Sequence, residues 1–137
     1  MRLGFYIRRL EHLLTAAKTD ALRETGLTLP QHTVLLVLTA SPNSFSAAQL
    51  ARVSLVTPQT MSTIITNLEA KGLIERGPSE MHAQVLAIKA TKAGRDLIRR
   101  AEPRTLDVED RLAAGFTEAE QEQFRDYLVR ALNALTD

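Results

Sequence analysis

Thr57-Pro58-Gln59-Thr60-Met61-Ser62-Thr63-Ile64-Ile65-Thr66-Asn67-Leu68-Glu69-Ala70-Lys71-Gly72 is the stretch on which the fold turns. Thr57 supplies an N-cap oxygen, Pro58 suits the first helical position and Gly72 offers a C-terminal stop, so a helix is expected over 58–71. Met61, Ile64, Ile65 and Leu68 recur at i, i+3, i+4 and i+7, a narrow stripe meant for burial. The opposite face carries Gln59, Thr60, Ser62, Thr63, Thr66 and Asn67, all short hydrogen-bonding side chains. Such residues meet the donors, acceptors and thymine methyls of a major groove without repelling phosphates, and the positive helix N-terminus favours a phosphate nearby. An ordinary solvated helix face has the same appearance, so the neighbouring elements must decide.

On the N-terminal side, Ser46-Ala47-Ala48-Gln49 reads as a capping box opening a short helix to about Ser54 or Leu55, with Leu50 and Val53 expected inside. Before it, Thr28-Leu29-Pro30-Gln31 opens a helix to about Ala40 with Val34, Leu35, Val37 and Leu38 as its core face, and Ser41-Pro42-Asn43-Ser44 stops it. On the C-terminal side, 73–76 and 84–89 read as two strands of a hairpin. Three helices followed at once by a hairpin give the element order of a winged helix-turn-helix, a lobe spanning 28–90. The expected fold class is therefore mainly α with a small β-hairpin.

Longer helices flank this lobe. Leu3, Tyr6, Leu10, Leu13, Leu14, Ala17, Ala21 and Leu22 fall at three- and four-residue steps over 3–25, with Gly26 as the stop. Thr91 caps a helix carrying Leu97, Ile98, Ala101, Leu106 and Leu112, which Pro103 is expected to kink. Thr117-Glu118-Ala119-Glu120 opens a last helix with Phe124, Tyr127, Leu128, Ala131, Leu132 and Leu135 on one face.

Composition bounds the function. At 137 residues, with 45% apolar and 24% charged residues, the chain suits a single globular domain. No run nears the roughly 18 uncharged apolar residues of a membrane span. Arg8 and Arg9 interrupt the first apolar run, so a signal peptide is not expected and a cytoplasmic location is. There is no cysteine, and the three histidines lack metal-ligand spacing, so no metal or other cofactor is expected. Neither a glycine-rich phosphate loop nor a nucleophile motif is present, which argues against an enzyme. Net charge is +1, yet residues 52–100 hold eight Lys or Arg against four acids, while 101–137 hold four against nine. A basic centre with an acidic tail suits a polyanion at the lobe, although solvated surfaces also segregate in this way.

Several stretches together resemble the MarR family of bacterial regulators: Leu27-Thr28-Leu29-Pro30-Gln31, Gln49-Leu50-Ala51, Val56-Thr57-Pro58-Gln59-Thr60-Met61-Ser62, Leu68-Glu69-Ala70-Lys71-Gly72-Leu73-Ile74-Glu75-Arg76 and Ala90-Thr91-Lys92-Ala93-Gly94-Arg95. The resemblance implies a homodimer through the helices of 1–25 and 92–137, with two lobes reading successive major grooves of a palindromic operator on double-stranded DNA. The outer apolar faces, too extensive for one lobe to cover, agree with this. It also implies repression as the commoner outcome, and a small aromatic or phenolic effector bound between the dimerisation helices and the lobe. Tyr6, Arg9, His12 and His32 are candidates to line that cleft, a cation suiting a carboxylate and tyrosine a ring; ordinary burial or surface placement is the other reading of each. The candidate DNA-contacting set is Thr57, Pro58, Gln59, Thr60, Ser62, Thr63, Thr66, Asn67, Lys71, Arg76, His82 and Gln84, with Arg52, Lys89 and Arg95 as further phosphate candidates; each of these five cations reads equally as a plain surface charge.

The wing departs from the family. Where the family commonly has Asp-Arg-Arg, this chain has His82-Ala83-Gln84, so the strong minor-groove cation is missing and His82 is a partial substitute only when protonated. The depleted wing keeps a second function in view, a winged-helix protein-interaction module with weak or no DNA binding.

Overall fold

Capping decides where the lobe helices begin. Thr28 Oγ1 accepts from the Gln31 amide at 3.2 Å while Gln31 Oε1 accepts from the Thr28 amide at 3.1 Å, and Ser46 and Gln49 repeat the exchange at 3.1 and 2.9 Å. Thr57 Oγ1 accepts from the Thr60 amide at 3.1 Å. Each such cap contributes about 1 kcal/mol and, more usefully here, fixes a helix start to the residue. The computed structural model describes residues 1–78 and 86–137. Its elements are α1 (Leu3–Ala21), a 3-10 turn (Arg23–Thr25), α2 (Leu29–Ala40), α3 (Ala47–Ser54), α4 (Pro58–Ala70), β1 (Ile74–Pro78), β2 (Leu86–Ala90), α5 (Lys92–Ala113) and α6 (Glu118–Leu135).

The lobe core is built around α4, whose Met61, Ile64, Ile65 and Leu68 are all buried against Leu35, Leu50 and Ile88 among others. Strands β1 and β2 pair antiparallel from Ile74 opposite Ala90 to Pro78 opposite Leu86. A third piece joins them: Phe45 exchanges backbone hydrogen bonds with Ile88 at 3.2 and 2.7 Å. One residue contributing two hydrogen bonds leaves no periodic trace, so the sequence does not announce this bridge. The first strand also runs two residues past 76, to Pro78. The expected second strand begins at Gln84, which lies outside the described residues.

Other expectations are corrected. Val53 is exposed and Ala51 takes the inward position, because inward positions follow Leu50 directly on the short α3. Helix α1 closes at Ala21, and Gly26, in the left-handed region at φ +73°, ends the 3-10 turn instead. Pro103 does not split α5, which runs on as one element. Its buried side, Ile98, Ala101, Thr105 and Val108, keeps helical spacing, and Leu106 falls off that stripe and is exposed. Helices α1 and α6 contribute no buried residue of their own. Lys18 pairs with Glu109, and Arg104 with Glu24 at 2.9 Å, tying α1 and the 3-10 turn to α5.

The first turn of α5 presses on the loop leaving α4. A Cβ at Gly94 would stand 2.2 Å from the carbonyl oxygen of Leu73, an approach only glycine permits. Gly94→Ala is therefore expected to lower stability by about 1–3 kcal/mol, measured as a lower urea midpoint. An unchanged midpoint would contradict the packing described.

Candidate nucleic-acid interface

The buried stripe of α4 turns its other side outward. Gln59, Thr60, Ser62, Thr63, Thr66 and Asn67 are all exposed, as are Thr57 and Pro58 at its start. Thr57 Oγ1 also donates to Thr60 Oγ1 at 3.0 Å, and Thr63 Oγ1 donates to the Gln59 carbonyl at 3.3 Å, so the first turns present a defined hydroxyl array. Convex, polar, uncharged and led by a positive helix end, this face has the shape and chemistry to enter a groove and hydrogen-bond base edges.

The cationic candidates divide. Arg76 pairs through Nε with Glu69 Oε2 at 3.2 Å and donates to Thr66 Oγ1 at 3.5 Å, clamping β1 to the outer side of α4. Arg95 donates to the Ala90 carbonyl at 2.8 Å and so closes the end of β2. Lys71 donates to the Gly26 carbonyl at 2.9 Å and to Gln31 Oε1 at 3.3 Å, directing its ammonium toward the junction with α1 rather than along the polar face of α4. Arg52 is exposed on α3, and Lys89 is half-buried on β2. His82 and Gln84 lie outside the described residues.

The four effector candidates are not brought together. Tyr6 and Arg9 border a groove of 550 Å³ between α1 and α6, while Arg9 and His12 share a hollow of 450 Å³ on α1. His32 is 4% exposed and, among the described residues, its buried Nε2 has no hydrogen-bond partner. Burial holds its pKa below the ordinary histidine value; Glu102 opposes that lowering and Lys18 adds to it. The cleft between α1 and the lobe, of 520 Å³, is lined instead by Thr15, Arg23, Thr28, Thr33, Ser54 and Ile64 among others. Sequence reasoning missed these residues because the cleft is made by packing between distant elements. A trace was present in Glu11, Thr15 and Thr19, a polar stripe at i, i+4 and i+8 beside the apolar face of α1.

Comparison with known proteins places this geometry. The sequence pattern of the MarR family matches residues 25–84. The HTH-type transcriptional repressor Rv2887 of Mycobacterium tuberculosis is 36% identical over 126 residues, covering 92% of this chain and 90% of that one. The structure of Rv2887 in complex with salicylic acid superposes with a TM-score of 0.74 at 34% identity, covering 96% of both chains. Staphylococcus aureus MepR in its DNA complex superposes with a TM-score of 0.91 at 24% identity, over 98% of this chain and 99% of that one, a likeness of fold.

The buried imidazole generates a prediction about acid. Folding depresses the pKa of His32, so the folded state resists a proton that the unfolded chain accepts. Stability should be full above the ordinary value of about 6.5 and decline as pH falls below it. Urea midpoints from pH 8 to 5 should show this acid limb, shallower in His32→Leu. Identical limbs in the two proteins would remove His32 as its cause.

Proposed function

The chain belongs to the MarR family, and on that premise we propose that it is a sequence-specific DNA-binding transcription regulator, a repressor acting as a homodimer on a two-fold operator. One observation carries the reading: from Gln59 to Asn67 the outward side of α4 carries only uncharged polar side chains while its inward side is locked into the core, so the helix is both rigidly held and chemically suited to base edges. The family consists of transcription regulators rather than enzymes, and the repressor name of the 36% identical relative agrees with this role. In this reading Gln59, Ser62, Thr63, Thr66 and Asn67 face bases, and Thr57, Pro58 and Thr60 sit at the phosphate-facing end of α4. Arg52 and Lys89 supply phosphate contacts, and Arg76 reaches the backbone when it releases Glu69. The wing, with Ala83 and Gln84 where the family commonly has two arginines and His82 beside them, adds less than is usual in the family.

Dimerisation follows from what one chain leaves uncovered. Tyr6, Ile7, Leu10 and Leu13 on α1 meet Phe124 and Leu128 on α6 across an open apolar groove, and Leu132 and Leu135 are exposed further along α6. Apolar faces of this extent are the mark of an interface, and a two-fold axis through them sets two copies of α4 on one side of a duplex.

The cleft between α1 and the lobe suits a small aromatic acid. Leu29, Val56 and Ile64 offer apolar walls for a ring, Thr28, Thr33 and Ser54 offer hydroxyls, and Arg23 suits a carboxylate. Salicylic acid, bound by the M. tuberculosis relative, has this chemistry. Among the described residues no helix is long and apolar enough to cross a membrane, and a cytoplasmic site of action fits a protein whose partner is DNA.

Fluorescence anisotropy tests the reading, using a duplex selected by the protein from a random pool, a scrambled control and two salt concentrations. Affinity for the selected duplex should be tighter and fall steeply with salt as counterions are released. Gln59→Ala and Asn67→Ala should each cost about 1–3 kcal/mol on the selected duplex and little on the control. Equal losses on both would contradict base reading by α4. No discrimination by the unmodified protein would favour a protein-interaction module.

A further inference from the structure

The C-terminal end of α4 is held at both places where the lobe joins its flanking helices. On one side stands Thr91, whose Oγ1 donates to the Gly72 carbonyl at 2.7 Å and whose amide donates to the Leu73 carbonyl at 3.0 Å. The same Oγ1 accepts from the Gly94 amide at 3.1 Å and so starts α5. On the other side stands Lys71, the residue closing α4, bonded to Gly26 and Gln31.

Both partners of Lys71 are structural pivots. Gly26, at φ +73°, forms the left-handed turn by which the chain leaves α1 and the 3-10 turn. Gln31 is 6% exposed, and the Oε1 that accepts from Lys71 also accepts from the Thr28 amide to close the capping box of α2. One ammonium therefore joins the end of α4, the α1 to α2 turn and the first turn of α2. Hydrogen bonds from a charged donor are the stronger kind, and here one acceptor is a nearly buried side chain fixed by its own cap. Arg23, Leu27 and Thr28 of the same turn form one wall of the 520 Å³ cleft, so a displacement of that wall reaches α4 through Lys71.

We propose that Lys71 is a positioning residue that couples the α1 to α2 turn to the orientation of α4, and not a phosphate contact; the inference rests on α4 being the helix that reads DNA. The two roles leave opposite signatures. Removing a cation that binds phosphate weakens binding to all sequences and reduces the salt slope by about 1. Removing a cation that only orients α4 leaves the slope intact and spoils the fit to the preferred sequence. Coupling also requires that loosening one end loosens the other, since two sites are linked only through an element that both of them bias.

The test uses the full chain and Lys71→Met, which keeps the apolar stem and drops the charge, with Gln31→Glu as the variant that retains both acceptor functions and adds a charge opposite Lys71. Anisotropy is read on the selected and scrambled duplexes across a salt series, and amide hydrogen exchange is followed in the free proteins. Lys71→Met should reduce discrimination between the duplexes about tenfold at unchanged salt slope, and should accelerate exchange in 24–31 and 66–72 together while α3 stays as in the parent. Gln31→Glu should keep both the discrimination and the protection. Uniform weakening on both duplexes with a shallower slope would overturn the proposal in favour of a phosphate contact. Exchange that rises at the end of α4 alone, or nowhere, would overturn the coupling. Failure of the parent protein to discriminate between duplexes would strike the DNA-reading premise instead, and the exchange result would still decide whether Lys71 joins the two segments.

Discussion

Burial of Met61, Ile64, Ile65 and Leu68 beneath α4 is the contact on which the remaining structure depends, because four large side chains on one narrow stripe leave that helix only one way to sit. Each contributes about 1.5–3 kcal/mol on full burial, more than the roughly 1 kcal/mol of any cap, so packing chooses the face and capping trims the ends. Everything polar on α4 is thereby forced outward as one surface. Thr57 and Pro58 begin the helix at that surface, and Gly72 ends it where the chain must turn back into β1.

Around this helix a single core holds the winged lobe, and the flanking helices differ in how far they share in it. The lobe draws its core from α2, α3, α4 and the hairpin, to which α5 adds Ile98 and Ala101. Helices α1 and α6 bury nothing fully within one chain and expose an apolar groove between them. In the proposed dimer the two lobes act as separate heads whose spacing is set by the helices that join the copies. Ties at the far end of α4, through Lys71 and Thr91, mean that the heads do not hang freely from those helices.

Much of this was legible in the residues. Thr28 with Gln31, Ser46 with Gln49, Thr57 with Pro58, and Thr117 with Glu120 are local signals whose chemistry is complete within four residues, and each helix starts where they place it. The polar face of α4 was legible for the same reason, since its period is fixed by the helix itself. What escaped was non-local. The Phe45 to Ile88 bridge spans two segments far apart in sequence, the cleft walls come from several elements, and the ammonium of Lys71 meets a carbonyl forty-five residues away. Charge and position in the chain offered Lys71 as a phosphate contact or a plain surface charge; only packing shows the two oxygens it meets.

Whether two copies of α4 enter one duplex from the same side is the central question for this protein. Hydroxyl-radical footprinting of the selected duplex measures this directly. Two protected segments of equal strength, related by a two-fold axis and centred about one helical turn or a whole multiple of a turn apart, are the predicted result. A single asymmetric segment, or protection spread evenly along the duplex, would contradict it.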